Sequence, residues 1–148
     1  MFKHILIPTD GSPHSNKAVK AGIKLAQKLG ACVTGFHAVE LPWPAQMHGT
    51  DTVRGRRVLT AAGRQAAAHG RKLLAAMHRA AKAASVPFDS FMTEAAAADA
   101  AIVNAAKKLQ YDVVVMGSHG RRGLVGGVLG SVTRRVLLNT KVPVLVYR

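Results

Sequence analysis

The chain of 148 residues has a single cysteine, Cys32, which excludes an internal disulfide framework and a zinc site built from several cysteines. Acidic residues are almost as scarce: seven Asp and Glu stand against 21 Lys and Arg, a net charge of +14. A field of that sign disfavours cationic partners and attracts anionic ones. No apolar run approaches the roughly 20 residues that a membrane-spanning helix needs. The opening Met1-Phe2-Lys3-His4-Ile5-Leu6-Ile7-Pro8 has neither the apolar length nor the small-residue cleavage site of a signal peptide. The expectation is a soluble, cytoplasmic protein with no membrane partner.

What is present is an ordinary globular balance, 49% hydrophobic and 19% charged, which excludes a disordered chain. Two cores of about 74 residues each would both be marginal, so the reading is one domain over 1–148. The charge is unevenly placed. Eight basic residues and no acid lie between Thr52 and Phe88, and six basic residues and no acid follow Asp112.

Strand and helix patterns alternate along the chain. Phe2 to Ile7 is a short apolar run, as in a buried strand. Ser12 and Pro13 form a helix start, Ala18, Ile23, Ala26 and Leu29 recur at near-helical spacing, and Gly30 is a stop. Cys32 to Val39 is a second strand. Val53 to Ala84 is a long helical pattern that Gly63 and Gly70 could interrupt, at about 1 kcal/mol each relative to Ala. A third strand over Val86 to Thr93, a helix over Ala95 to Leu109, a fourth strand over Val113 to Met116, a helix over Ser131 to Asn139 and a fifth strand over Val142 to Tyr147 complete the order. This alternation predicts an α/β fold: an open five-stranded parallel sheet, Rossmann-like, with helices on both faces and right-handed crossovers. Such sheets bind ligands beyond the carboxyl ends of their strands, where the winding reverses.

The chief chemical signal follows the fourth strand. Gly117-Ser118-His119-Gly120-Arg121-Arg122-Gly123 and the continuation to Gly130-Ser131 form a glycine-rich loop that runs into a helix start. Backbone N–H groups in such a loop and at such a helix start favour phosphate, with Arg121 and Arg122 adding charge. The alternative is a glycine-rich loop whose Ser131 merely caps the last helix. Other phosphate motifs fail. The loop has no lysine for a G-x-x-x-x-G-K-[ST], and no G-x-G-x-x-G follows the first strand. The seven histidines form no H-E-x-x-H and no Cys/His spacing. His119 is either a phosphate contact or a turn residue.

The spacing Gly117-x2-Gly120-x9-Gly130-Ser131 resembles the G-2x-G-9x-G-[S/T] signature of the nucleotide-binding universal stress proteins. Ile5-Leu6-Ile7-Pro8-Thr9-Asp10-Gly11-Ser12 and the closing Val142-Pro143-Val144-Leu145-Val146 are also similar to that family. The resemblance implies a 3-2-1-4-5 strand order and ATP at the carboxyl edge, with Mg a candidate companion. It places Pro8, Thr9 and Asp10 at adenine and ribose, Ala38 backbone at adenine, and Met116 and Gly117 beside the nucleoside. Gly120, Arg121, Gly130, Ser131 and Val132 fall at the phosphates. Asp10 has a second reading, as a turn residue making an Asx-type bond. The resemblance further implies a homodimer paired through the last strand.

One departure is Glu94-Ala95-Ala96-Ala97, where family members often carry Gly-x-Pro. The expected function is a nucleotide-dependent regulatory protein of stress response and at most a slow ATPase, because few carboxylates stand near the loop. The alternative is a nucleic-acid or polyanion binding module driven by the basic surface. An adenylating enzyme is disfavoured, because no S-G-G-x-D-S loop follows the first strand.

Overall fold

The computed structural model describes residues 2–40, 53–119 and 129–148, and the side chains of 61–119 within the middle stretch. The elements run β1 (His4–Pro8), α1 (Pro13–Leu29), β2 (Cys32–Glu40), α2 (Val53–Ala83), β3 (Phe88–Ala95), α3 (Ala98–Lys108), β4 (Val113–Gly117), α4 (Ser131–Asn139) and β5 (Val144–Tyr147). The five strands form one parallel sheet in the order β3-β2-β1-β4-β5. The expected architecture and order are therefore observed.

Strand alternation divides the core in two. Ile5, Ile7, Val33, Val113 and Val115 point to one face and pack with Val19, Ile23 and Ala26 of α1 and Leu74, Met77 and Ala81 of α2. Leu6, Phe36, Val114 and Met116 point to the other and pack with Ala101, Ile102, Ala105 and Ala106 of α3 and Val136 of α4. Both faces of β1 and β4 are covered, which is why these strands read as continuous apolar runs.

Several boundaries differ from the sequence reading for identifiable reasons. β1 ends at Pro8 and not Ile7. Its missing N–H falls on the β4 side, where pairing stops at Leu6–Val114. β3 starts two residues late, because Val86 closes α2: its N–H donates to Ala81 O at 2.9 Å while Ser85 takes a φ of 55°. α3 starts at Ala98, since β3 runs on to Ala95. β5 starts at Val144 and not Val142; Pro143 supplies only its carbonyl, to Val114 N–H at 2.9 Å. α2 is continuous through both glycines.

The amino edge of the sheet is tied by Asp112. Its Oδ2 accepts the N–H groups of Lys3 (2.6 Å) and His4 (2.8 Å), and these bonds hold its carboxyl below the usual carboxylate range.

Candidate functional site

In the order 3-2-1-4-5 the chain winds outward from β1 in one direction through β2 and β3, then crosses to β4 and β5. The reversal falls between β1 and β4, and the open crevice lies at their carboxyl ends. Three segments converge there: the turn after β1, the end of β2, and the stretch from β4 to α4.

The turn after β1 is held by its own side chains. Asp10 Oδ1 accepts Ser12 N–H at 3.0 Å, which is the Asx-type bond. Ser12 Oγ caps α1 by accepting Ser15 N–H at 3.1 Å, with Pro13 opening the helix. Thr9 is buried, and its Oγ1 accepts Gly11 N–H at 3.2 Å and meets Ser15 Oγ at the same distance. Gly11 takes a φ of +78°, which lets the chain double back. Thr9 is fixed from β2 as well: its N–H donates to Phe36 O (2.9 Å), and its carbonyl accepts from His37 Nδ1 (2.8 Å). A carbonyl only accepts, so His37 carries its proton on Nδ1. His37 is buried and was not assigned this role from the sequence.

β2 outruns β1. Pairing with β1 ends at Pro8–Phe36, whereas pairing with β3 continues through Ala38–Thr93 to Glu40–Ala95. Phe36 turns its carbonyl toward β1, so Ala38, two residues on, turns its backbone N–H and C=O to the same side, past the end of β1. This half-buried residue therefore shows a strand edge to the crevice.

The third segment is clipped at its base. Ser118 N–H donates to Tyr147 O (2.9 Å), Gly130 N–H donates to Ser118 O (2.8 Å), and Thr133 Oγ1 donates to Gly117 O (2.9 Å). These bonds bring the two ends of the glycine-rich loop together and set α4 against β4. Gly117 lies so close to α1 that a Cβ there would stand 2.8 Å from His14 O and 3.0 Å from Ser15 N. His119 packs on His14 with ring centroids 5.2 Å apart, its Nδ1 3.1 Å from Ser118 Oγ. His119 Nε2 and His14 Nδ1 are buried with no hydrogen-bond partner among the described residues.

The helix starts at this edge differ in one respect. α1 is capped by Ser12, and α3 by Glu40, whose Oε1 accepts Ala98 N–H at 3.1 Å. α4 begins after Gly130 with no side-chain cap among the described residues, and exposed Ser131 is its first residue. No described side chain accepts its first N–H groups, which a helix start leaves without an intrahelical partner. Pro8, Thr9, Asp10, Ala38, Met116, Gly117, Gly130, Ser131 and Val132 all lie at this edge. Gly120 and Arg121 lie outside the described residues. The described residues also leave a hollow of about 480 Å³ between β3 and α3, lined by Phe91, Ala97, Ala101 and Leu109 among others. Its wall is mainly alanine with Thr93, Glu94, Asn104 and Lys108, and it lies between β3 and α3, away from the reversal between β1 and β4.

A model of the universal stress protein family matches residues 1–148. The chain belongs to the universal stress protein family. Universal stress protein MJ0531 of Methanocaldococcus jannaschii is 31% identical over 148 residues, covering 100% of this chain and 83% of that protein. Among solved structures, the universal stress protein UspA from Lactobacillus plantarum superposes with a TM-score of 0.86 at 22% identity, covering 99% of this chain and 98% of that one. A universal stress protein in complex with cAMP gives a TM-score of 0.71 at 24% identity, covering 99% and 97%. In this universal stress protein the start of α3 is met by a carboxylate from β2, that of Glu40.

Among the described residues no group of three or more His, Cys, Asp or Glu side chains could hold a metal, and no helix is long and apolar enough to cross a membrane.

Proposed function

We infer that this universal stress protein binds ATP in the crevice between β1 and β4 and acts as a nucleotide-dependent regulatory protein of the cytoplasm. The observation that carries the reading is the uncapped start of α4 directly after a glycine-rich loop whose base is closed by Gly130 N–H and Ser118 O. Backbone N–H groups and the helix dipole make that end a phosphate acceptor. Ala38 adds a free strand edge with both a donor and an acceptor, the pairing that an adenine edge requires. Relatives of this fold solved with cAMP, with dAMP and with AMP support an adenine nucleotide over other anions.

In this reading Ala38 backbone and Pro8–Thr9 hold adenine, Asp10 the ribose, and Met116 and Gly117 flank the nucleoside. Gly120, Arg121, Gly130, Ser131 and Val132 hold the phosphates. Thr9 N–H is already bonded to Phe36 O and its carbonyl already accepts from His37, so Thr9 contributes shape. Asp10 is the one carboxylate in the turn after β1. A Mg ion would therefore rest mainly on phosphate oxygens and water. With no second carboxylate there to act as general base, hydrolysis is at most slow. Acid extraction of the purified protein, followed by ion exchange of the supernatant, is expected to release adenine nucleotide in near-stoichiometric amount. Nucleotide-free protein that also fails to take up ATP would remove the proposal.

The second part of the reading is a homodimer through β5. Pro143 and Tyr147 turn their carbonyls to β4, so Val144 and Val146 turn their N–H and C=O groups to the free edge. Leu145 and Tyr147 are exposed beside that edge. An open, apolar edge strand is a liability that antiparallel pairing about a two-fold axis removes. Sedimentation equilibrium at tens of micromolar is expected to give twice the 15.6 kDa of one chain. Val144→Pro deletes an outward donor while sparing the ladder to β4, so it should shift the equilibrium to monomer and leave ATP affinity unchanged. A wild-type monomer would refute the dimer.

A further inference from the structure

The charges of this molecule are segregated. α1 and α2 lie side by side on one face of the sheet, and Gln27 Nε2 donates to Ala84 O (2.9 Å) where their ends meet. Neither helix holds an Asp or Glu. α1 carries Lys17, Lys20, Lys24 and Lys28, all exposed. α2 carries eight basic residues, of which Arg64, Arg71, Lys72, Arg79 and Lys82 have described side chains, all exposed. The carboxylates sit elsewhere: Asp10 and Asp112 in turns, Glu40 on α3, Asp99 on α3 itself, Asp89 on the opposite side of β3. Among the described residues only Glu94 is directed by strand alternation to the α1/α2 side, at the far end of β3, and Asp51 lies outside the described residues. The one ion pair found among the described residues, Arg135–Asp99 at 3.2 Å, joins α4 to α3 on the other face.

The two helices run in the same direction, and the Gln27–Ala84 contact sets their relative height. Lys24 then stands level with Lys82, Lys20 with Arg79, and Lys17 with Lys72, each to within about one helical turn of 5.4 Å. The result is two columns of cations carried on neighbouring helices, whose axes pack about 8–10 Å apart. Between the cations α2 exposes Ala75, Ala76, Ala80 and Ala83 together with Gln65, His69 and His78, and the two histidine rings lie against His37 and Phe88. Among the described residues the exposed large apolar side chains are Leu29, at the last position of α1, and Leu109, Leu137, Leu138, Leu145 and Tyr147, which lie outside both helices.

We propose that the α1/α2 face docks the phosphate backbone of duplex nucleic acid without reading its sequence. Three features select this occupant. A double column of unpaired cations matches a double row of phosphates, and release of the condensed counterions drives such binding. A lipid surface requires large apolar side chains to enter the headgroup layer, and among the described side chains the columns carry none. Single strands are held by stacking on free aromatic faces; no exposed Phe, Tyr or Trp lies among the described side chains of α1 and α2, and the rings of exposed His69 and His78 are already set against His37 and Phe88. The face is separate from the crevice, so this proposal stands or falls independently of nucleotide binding.

The test is fluorescence anisotropy with a labelled mixed-sequence DNA duplex of about 20 base pairs at several salt concentrations between about 50 and 200 mM. Three proteins are compared: the wild type, a face variant (Lys20→Gln, Lys24→Gln, Arg71→Gln, Arg79→Gln) and a control losing the same charge elsewhere (Lys107→Gln, Lys108→Gln, Lys141→Gln, Arg148→Gln). All eight side chains are exposed, so both variants should melt as the wild type does. The face variant is expected to bind at least tenfold more weakly and to lose about three to four units of salt slope, roughly 0.9 per lost phosphate contact. The control should stay within about threefold of wild type. An equal loss in both variants would show a response to net charge alone and overturn the proposal. So would absence of duplex binding at about 50 mM salt, or tighter binding to phosphatidylserine vesicles than to duplex.

Discussion

Gly117→Ala should destabilise the protein by about 2 kcal/mol, measured as a lower urea midpoint at unchanged m-value. The added Cβ meets His14 C and O at 2.8 Å and Ser15 N at 3.0 Å, all of them backbone atoms. A side chain could rotate away. The first turn of α1 cannot, because Ser12 Oγ, Thr9 Oγ1 and Ser15 Oγ lock it from within. The resemblance places this glycine beside the nucleoside. The structure supplies a packing reason of its own: Gly117 is where β4 passes under α1. A Gly117→Ala protein as stable as wild type would show that the helix start yields, and would return the glycine to the ligand alone.

Much of the fold was legible because local signals agreed with each other. Ser12-Pro13 and Gly30 bracket α1 with a cap and a left-handed C-cap of φ 61°, and both were readable as residue types. The apolar runs of β1 and β4 reported strands covered on both faces. The misplaced boundaries share a cause. Val86 is as apolar as a strand residue, but it is spent closing α2, and the positive φ that allows this belongs to Ser85, not to a glycine. The continuity of α2 through Gly70 was likewise invisible. A Cβ at Gly70 would collide with His37 Cδ2 and Met92 Sδ, so a close approach to β2 and β3 outweighs a propensity cost of about 1 kcal/mol.

The candidate site divides in the same way. Its glycines and Asp10 stand in a spacing that one sequence displays. Its supports do not. His37 reaches Thr9 O across 28 residues, Thr133 reaches Gly117 O across 16, and Glu40 caps α3 across 58. Each of these bonds depends on sheet register or helix docking, which no local pattern encodes. His14 and His119 were readable as residues, but not as a pair.

Gly130→Val should cost at least 100-fold in ATP affinity, about 2.7 kcal/mol, with the fold intact. Gly130 has φ −58° and ψ 151°, a conformation open to any residue, so valine introduces no backbone strain. Its N–H is retained and can still donate to Ser118 O, which keeps the loop base closed. What changes is access. Two γ-methyl groups at the N-cap crowd the first N–H groups of α4, the ones that lack a side-chain acceptor and are proposed to meet phosphate. AMP, which places fewer phosphates there, should lose less affinity than ATP. Calorimetric titration with both nucleotides measures the difference, and circular dichroism with thermal melting checks the fold. Gly117→Ala and Gly130→Val then separate two uses of glycine in one motif, the first read out in stability and the second in binding. Full ATP affinity in a well-folded Gly130→Val protein would place the phosphates away from α4 and undo the assignment of Gly130, Ser131 and Val132 together.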